Sequence, residues 1–241
     1  DHSESGVFNG LGTLSWRTDD GQLNLTLAGA NSSLIGNGAI PVELEAIDRK
    51  AVFTHPDKTS NHFFLSALDG NLWLNDATEL AGNMYYRSNR IDSVNGDGSE
   101  FEECSPPNDA FLCEETITGG EEILEDIYGN QVLADDAFEG GTVNTSETKE
   151  DSFCFALQTG FDYRIWDREN YFLVGSSFDR GDVKYKADTE LGALTYNRGV
   201  DPSGTLLEDS RVRLDTTTDT YSFYMTDTLS LTDKLDVTVS A

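Results

Sequence analysis

The chain has 241 residues, with 16 Lys plus Arg against 44 Asp plus Glu, a formal net charge of −28. Hydrophobic residues at 37%, aromatics at 10% and only 5 Pro exclude wholesale disorder, and no run approaches the roughly 18 consecutive apolar residues that a membrane-spanning helix requires. A partner of nucleic acid needs a Lys/Arg surface, which this chain lacks, so no nucleic acid is expected to bind.

Period-two alternation of apolar and other residues dominates from the start of the chain. Phe8, Gly10, Gly12, Leu14 and Trp16 fall on one face and Asn9, Thr13, Ser15 and Arg17 on the other. The turn Thr18–Gly21 (TDDG) follows, and then Leu23, Leu25 and Leu27 alternate with Asn24 and Thr26. A polar excursion over 33–61 comes before the next short turn, Asn75–Thr78 (NDAT), after which Leu80, Gly82, Met84 and Tyr86 oppose Ala81, Asn83, Tyr85 and Arg87. A second excursion, over 91–151, precedes Phe153, Phe155, Leu157, Phe161 and Tyr163 set against Gln158, Gly160 and Asp162. The turn Asp167–Asn170 (DREN) leads into Phe172, Val174, Ser176 and Phe178. A third excursion, 185–217, ends in Tyr221, Phe223 and Met225, and the turn Thr232–Lys234 leads to Leu235, Val237 and Val239. Strands of about 10–14 residues are expected; soluble strands average roughly 5–6, and crossing a bilayer with tilt takes about 9–11. No comparable run has a helical period, so helix content is expected to be low.

Short and long connections alternate strictly. In an up-and-down antiparallel sheet that places all short turns at one end and all long loops at the other, the pattern of short periplasmic turns and long extracellular loops in outer-membrane barrels. The fold class expected is therefore all-β: an antiparallel up-and-down transmembrane β-barrel, of which this chain supplies about eight strands. The segment Asp92–Asp151 holds 18 acidic residues against one basic, a local net charge of −17. It lacks a sustained period and reads as a long extracellular loop or disordered excursion. All three Trp adjoin short turns, as an interfacial aromatic girdle would have it. Trp73 shares parity with Asp69 and Asn71, which aims it at the lumen unless a bulge intervenes. A soluble β-sandwich alternates identically in local sequence and is the competing architecture.

Four blocks carry a resemblance: LTLAGANSSLIGNGAIPVELEAIDRKAVFTHPDKTSN (25–61), LWLNDATELAGNMYYRSNRIDSVNGDGSEFEEC (72–104), ENYFLVGSSFDRGDVKYKADTELGALTYNRGV (169–200) and TDTYSFYMTDTLSLTDKLDVTVSA (218–241). In this order they resemble the barrel of TonB-dependent outer-membrane receptors, most weakly over 105–150. The resemblance implies a 22-stranded barrel around an N-terminal plug, uptake of a scarce nutrient such as a ferric siderophore, and energy from a TonB–ExbB–ExbD partner. No plug and no TonB box are recognised here, so the chain is expected to be an early-to-middle barrel piece of a longer receptor. A complete eight-stranded barrel, its interior filled by side chains, is the alternative. A passive porin or an adhesin-type barrel is the competing function.

Candidate sites are few. Asn83, Tyr85, Arg87, Gln158 and Asp162 are lumen-facing by parity and would line a ligand path. Asp92, Asn95, Asp97 and Glu100, with Glu102 and Glu103, suggest a weak divalent-cation site of hard oxygen ligands. They do not fit the EF-hand loop, since Val94 and Gly96 stand where it wants oxygens. Cys104 and Cys113, nine positions apart around Pro106 and Pro107, are a disulfide candidate, although Cys154 could replace either partner. His2, His55 and His62 are too scattered for a metal triad, and no phosphate loop, nucleophile elbow or CxxC is present; no enzyme and no cofactor are expected. The block FTHPD at 53–57 reads as turn chemistry. Outer-membrane lipid and lipopolysaccharide are the expected surroundings. Acidity by itself assigns no cargo, because a saline habitat explains it equally well.

Overall fold

The computed structural model describes residues 3–36, 40–134 and 140–241; His2 lies outside them. Alternating segments separated by turn residues fold into antiparallel hairpins. In chain order the elements are β1 (Glu4–Arg17), β2 (Gly21–Ile35), α1 (Val42–Ile47), β3 (Asp57–Asn75), β4 (Thr78–Gly98), β5 (Glu102–Glu103), β6 (Leu112–Glu115), β7 (Glu121–Ile123), β8 (Gly140–Ile165), β9 (Arg168–Leu194), β10 (Val200–Leu206), β11 (Val212–Thr232) and β12 (Leu235–Ser240). The main sheet has the order β1-β2-β3-β4-β8-β9-β11-β12, with β10 paired to β9, and β5-β6-β7 form a separate small sheet. Eight strands thus run up and down in sequence order, and the four short turns fall at one end.

Cross-strand register turns the alternation into two faces. One row reads Trp16, Leu23, Gly70, Gly82, Leu157, Ser176, Phe223 across seven strands. The adjacent row reads Arg17, Gln22, Asn71, Ala81, Gln158, Gly175, Tyr224. Leu14, Trp16, Met84, Phe155, Tyr221 and Phe223, all of the apolar face, are exposed, Phe223 to 71%. A continuous apolar face of this extent is stable only against an apolar neighbour. A β-sandwich would supply one as a second sheet; among the described residues nothing lies over this face. Trp16 is on it. Trp73 is on the polar face, because the register shift in β3 comes only after it, so Trp73 does not join an outward girdle.

The strands are longer than the alternation foretells: β8 has 26 residues and β9 has 27. The excursion 185–217 is therefore largely strand, 91–151 is strand at both ends and in three short pieces between, and 33–61 is strand only at its ends, with α1 between them. Beyond the apolar belt both faces are polar and a strand has no hydropathic period to show, yet its ladder hydrogen bonds continue. Charged pairs line that extension: Arg90 with Asp92 at 2.9 Å and Glu147 at 2.6 Å, Lys149 with Glu147 at 2.9 Å, and Arg213 with Asp188 at 2.6 Å.

The middle of the acidic segment is not an unstructured excursion either. Leu112, Leu124 and Val132 pack with Leu191 of β9 and Leu207, with Phe101 against them, as a small core. Cys104 and Cys113 form a disulfide with Cα atoms 5.0 Å apart, and Cys154 is a buried free thiol. Backbone bonds tie this lobe to the wall: Ile127 N–H donates to Leu206 O at 3.0 Å and Glu208 N–H to Glu125 O at 3.1 Å. At the same end the FTHPD block reaches across the sheet. His55 N–H donates to Arg198 O at 3.0 Å, Val200 N–H donates to His55 O at 3.1 Å, and the Arg198 guanidinium lies 4.3 Å from the centre of the Phe53 ring. Two long connections are thereby latched together.

Candidate ligand path on the polar face

Period two sends Asn83, Tyr85 and Arg87 of β4 and Gln158 and Asp162 of β8 to one face, and the register brings them into neighbouring rows. Asn83 and Gln158, with Gln22, Asp69, Asn71 and Tyr224, line a concavity of about 350 Å³. Tyr85 stands beside Cys154 in the ladder and donates from its hydroxyl to Asp179 Oδ1 at 3.4 Å. Asp162 pairs with Tyr171 near the short-turn end. The five residues are thus on a common face but in three places: around the concavity, higher at Tyr85 and Arg87, and lower at Asp162.

The structure adds polar partners that parity alone does not single out. Asn24 Nδ2 donates to Asp69 Oδ2 at 2.8 Å, and Asn71 Nδ2 to Glu79 Oε1 at 2.6 Å. The Tyr224 hydroxyl donates to Gln158 Oε1 at 2.9 Å, spanning two strands. It reaches that far because Gly175 lies between them: a Cβ there would stand 2.4 Å from Tyr224 Cζ. Gly175→Ala should swing the ring away and remove the Gln158 hydrogen bond, at a cost of about 1 kcal/mol. Denaturant unfolding of the variant beside Tyr224→Phe tests this; additive losses in the double variant would show that Gly175 does not act through Tyr224.

Four buried polar atoms of this face make no hydrogen bond among the described residues: Asn61 Oδ1, Asn71 Oδ1, Asn89 Oδ1 and Ser152 Oγ. A buried acceptor left alone costs about 1–3 kcal/mol. The polar face is therefore suited to a hydrated or polar partner laid against it.

The cation constellation does not assemble. Asp92 and Asn95 differ in parity, so the pleat of β4 puts Asp92 on one face and Asn95 and Asp97 on the other, while Glu100 lies past the end of the strand. Asp92 is held by Arg90, and Asn95 Nδ2 donates to Asp97 Oδ2 at 2.9 Å. Among the described residues no group of three or more His, Cys, Asp or Glu is placed to hold a metal ion.

Two lobe carboxylates are electrostatically settled. Glu121 accepts from the hydroxyl and the N–H of Ser105, at 2.6 and 2.7 Å, and these bonds hold its carboxyl below the usual range. Asp126 is likewise lowered, first by the side chain and then by the backbone of Asn130. A depressed carboxyl stabilises the folded lobe at pH above its unfolded value and loses that contribution as pH falls through the folded one. Amide protection at Ser105, Tyr128 and Asn130 should hold from pH 7 to roughly 4 and decline below it; decline already between pH 7 and 5 would contradict these assignments.

No protein-family model matches the chain, and no curated protein sequence does. Solved structures do share its fold. The ferric-catecholate import receptor Fiu from E. coli K12, in its open form, superposes with a TM-score of 0.61 at 12% identity, over 100% of this chain and 37% of that one. The ferric citrate transporter FecA gives 0.60 at 11% identity, over 97% and 28%. BauA, the ferric preacinetobactin receptor from Acinetobacter baumannii, gives 0.53 at 12% identity, over 99% and 33%. The chain thus has the fold of part of the barrel wall of TonB-dependent receptors and spans about a third of the length of the solved chains it matches.

Proposed function

We propose that this chain is one arc of the barrel wall of an outer-membrane receptor of a Gram-negative bacterium, which takes up a scarce nutrient such as a ferric siderophore and has no enzymatic role. The observation that carries this reading is the two-faced sheet itself. One face is apolar and exposed through the belt, its charged exception being Asp227, which accepts from Asn170 Nδ2 at 2.6 Å; the other is polar, with hydrogen-bonding atoms left open; and all short turns share one end. The apolar face meets lipid, with lipopolysaccharide around the strand extensions at the long-loop end. The polar face looks into the lumen, where Asn83, Tyr85, Arg87, Gln158 and Asp162 line the path of a small ligand beside a plug. β1 and β12, at the two ends of the sheet order, are where further strands complete the barrel. Energy comes from a TonB–ExbB–ExbD partner through that plug.

The test is uptake of radiolabelled ferric citrate and of a labelled ferric catecholate by cells expressing the receptor that carries this wall. Uptake of one of them should collapse with an uncoupler, and Arg87→Ala should lower its rate at unchanged surface display. Uptake indifferent to the uncoupler would instead show a passive porin. Loss of surface display in wild-type cells would overturn the membrane reading itself.

A further inference from the structure

The register pairs Gly70 of β3 with Gly82 of β4 on the apolar face. Two adjacent strands thus lack a side chain at the same height, and a hollow of about 370 Å³ opens there. Its walls are Leu23, Leu68, Leu72, Leu80, Met84 and Leu157. The flanking leucines already lean inward: Leu23 Cδ1 is 3.1 Å from where a Cβ on Gly70 would be, and Leu157 Cδ1 is 3.2 Å from that of Gly82. The hollow is what remains after they have done so. Further along the same row β11 presents Phe223 opposite Ser176.

We propose that this hollow holds one acyl chain of a phospholipid from the leaflet at the short-turn end. The inference rests on the membrane reading above. It is continuous with the apolar belt, and no charged side chain of that face lines it, so its occupant is uncharged hydrocarbon. Left empty, its walls would forfeit their dispersion contacts. From Leu80 to Met84 it runs four residues, about 13 Å along the strand at ~3.3 Å per residue, or about 9 Å of depth at the ~45° tilt of a membrane strand, which lies within the ~15 Å of one leaflet. Thr18, beside Gly21 and so level with Leu72 and Leu80, stands at its short-turn end, and Trp16 lines it level with Gly70 and Gly82. A second protein chain would need a ridge matched to a glycine-floored groove; a single acyl chain needs only width.

Trp16 reports on occupancy. The full chain, with Trp73→Phe and Trp166→Phe, is placed in phosphatidylethanolamine vesicles containing a varying fraction of lipid brominated near the carboxyl end of its chains. A reference protein carries Trp16→Phe with Phe223→Trp, on the same register row outside the hollow. Half-quenching of Trp16 should need at least threefold less brominated lipid than the reference. Leu68→Phe with Leu80→Phe, which fills the hollow, should bring the two curves together. Coincident curves before filling, or a preference that survives filling, would overturn the acyl-chain site while leaving the wall in the membrane. Absence of quenching at both reporters would overturn the membrane reading and the site with it.

Discussion

Leu191→Ala should release the acidic lobe from the wall, with a loss of about 3 kcal/mol in the lobe's own stability and little change in the hairpins below it. Leu191 is fully buried, at 0% exposure, near the upper end of β9. It is the wall's contribution to a core whose other members, Leu112, Leu124, Val132 and Leu207, come from the acidic segment and from the connection after β10. A core of five residues has few neighbours able to collapse into a vacated site, so most of the cavity cost persists. About 3 kcal/mol corresponds to roughly a 100-fold loss of amide protection at Leu112 and Leu124. Hydrogen exchange should show that loss together with new proteolytic cleavage between 100 and 134. Unchanged protection at those amides would mean that the lobe stands without the wall.

Cys104→Ser with Cys113→Ser should cost the lobe about 2.5–3 kcal/mol, the chain-entropy value for a closed loop of this size. The lobe needs the constraint for a reason visible in its register. Glu114 pairs with Glu122 and Glu115 with Glu121 across β6 and β7, and like charges directly opposite destabilise a ladder. The disulfide, nine positions in span, and the small core together offset that repulsion. Because both variants act on the same lobe, their combined loss should fall short of the sum once the lobe has opened. Added salt should recover part of the loss by screening the exposed glutamates. An unaltered exchange pattern in the cysteine variant would assign the lobe's order to its core alone. In the parent protein one thiol, Cys154, should react, and slowly until denaturant exposes it, since it is buried.

The hairpins, the short-turn end and the two faces were legible wherever one face is apolar and the other is not. Phe8 to Trp16, Leu80 to Tyr86 and Phe153 to Tyr163 announce themselves because the contrast recurs every second residue. The candidate path shares that legibility: Asn83, Tyr85, Arg87, Gln158 and Asp162 were placed on the polar face by parity alone. Above the belt the signal disappears. Arg90, Asp92, Glu147 and Lys149 are strand residues held by one ion pair across the strands, Arg90 with Glu147, and two along them, Arg90 with Asp92 and Lys149 with Glu147, and a polar residue opposite a polar residue carries no period. The acidic lobe was illegible for a related reason. Its core is assembled from Leu112, Leu124, Val132, Leu191 and Leu207, positions up to 95 apart in the chain, none of which marks its partners in sequence. Asp92, Asn95, Asp97 and Glu100 are neighbours in sequence, yet the pleat of β4 sends Asp92 to one face and Asn95 and Asp97 to the other, and Glu100 lies past the strand's end.

By itself, then, the amino-acid sequence determined the antiparallel hairpins, the division into apolar and polar faces and the end at which the long connections lie, because these follow from local alternation and turn chemistry. Only the tertiary structure decided how far each strand runs, which Cys pairs with which, that Tyr224 crosses Gly175 to meet Gln158, and that Gly70 and Gly82 fall side by side. Those are matters of register, and register is set by interactions between strands that the sequence of either strand alone does not contain.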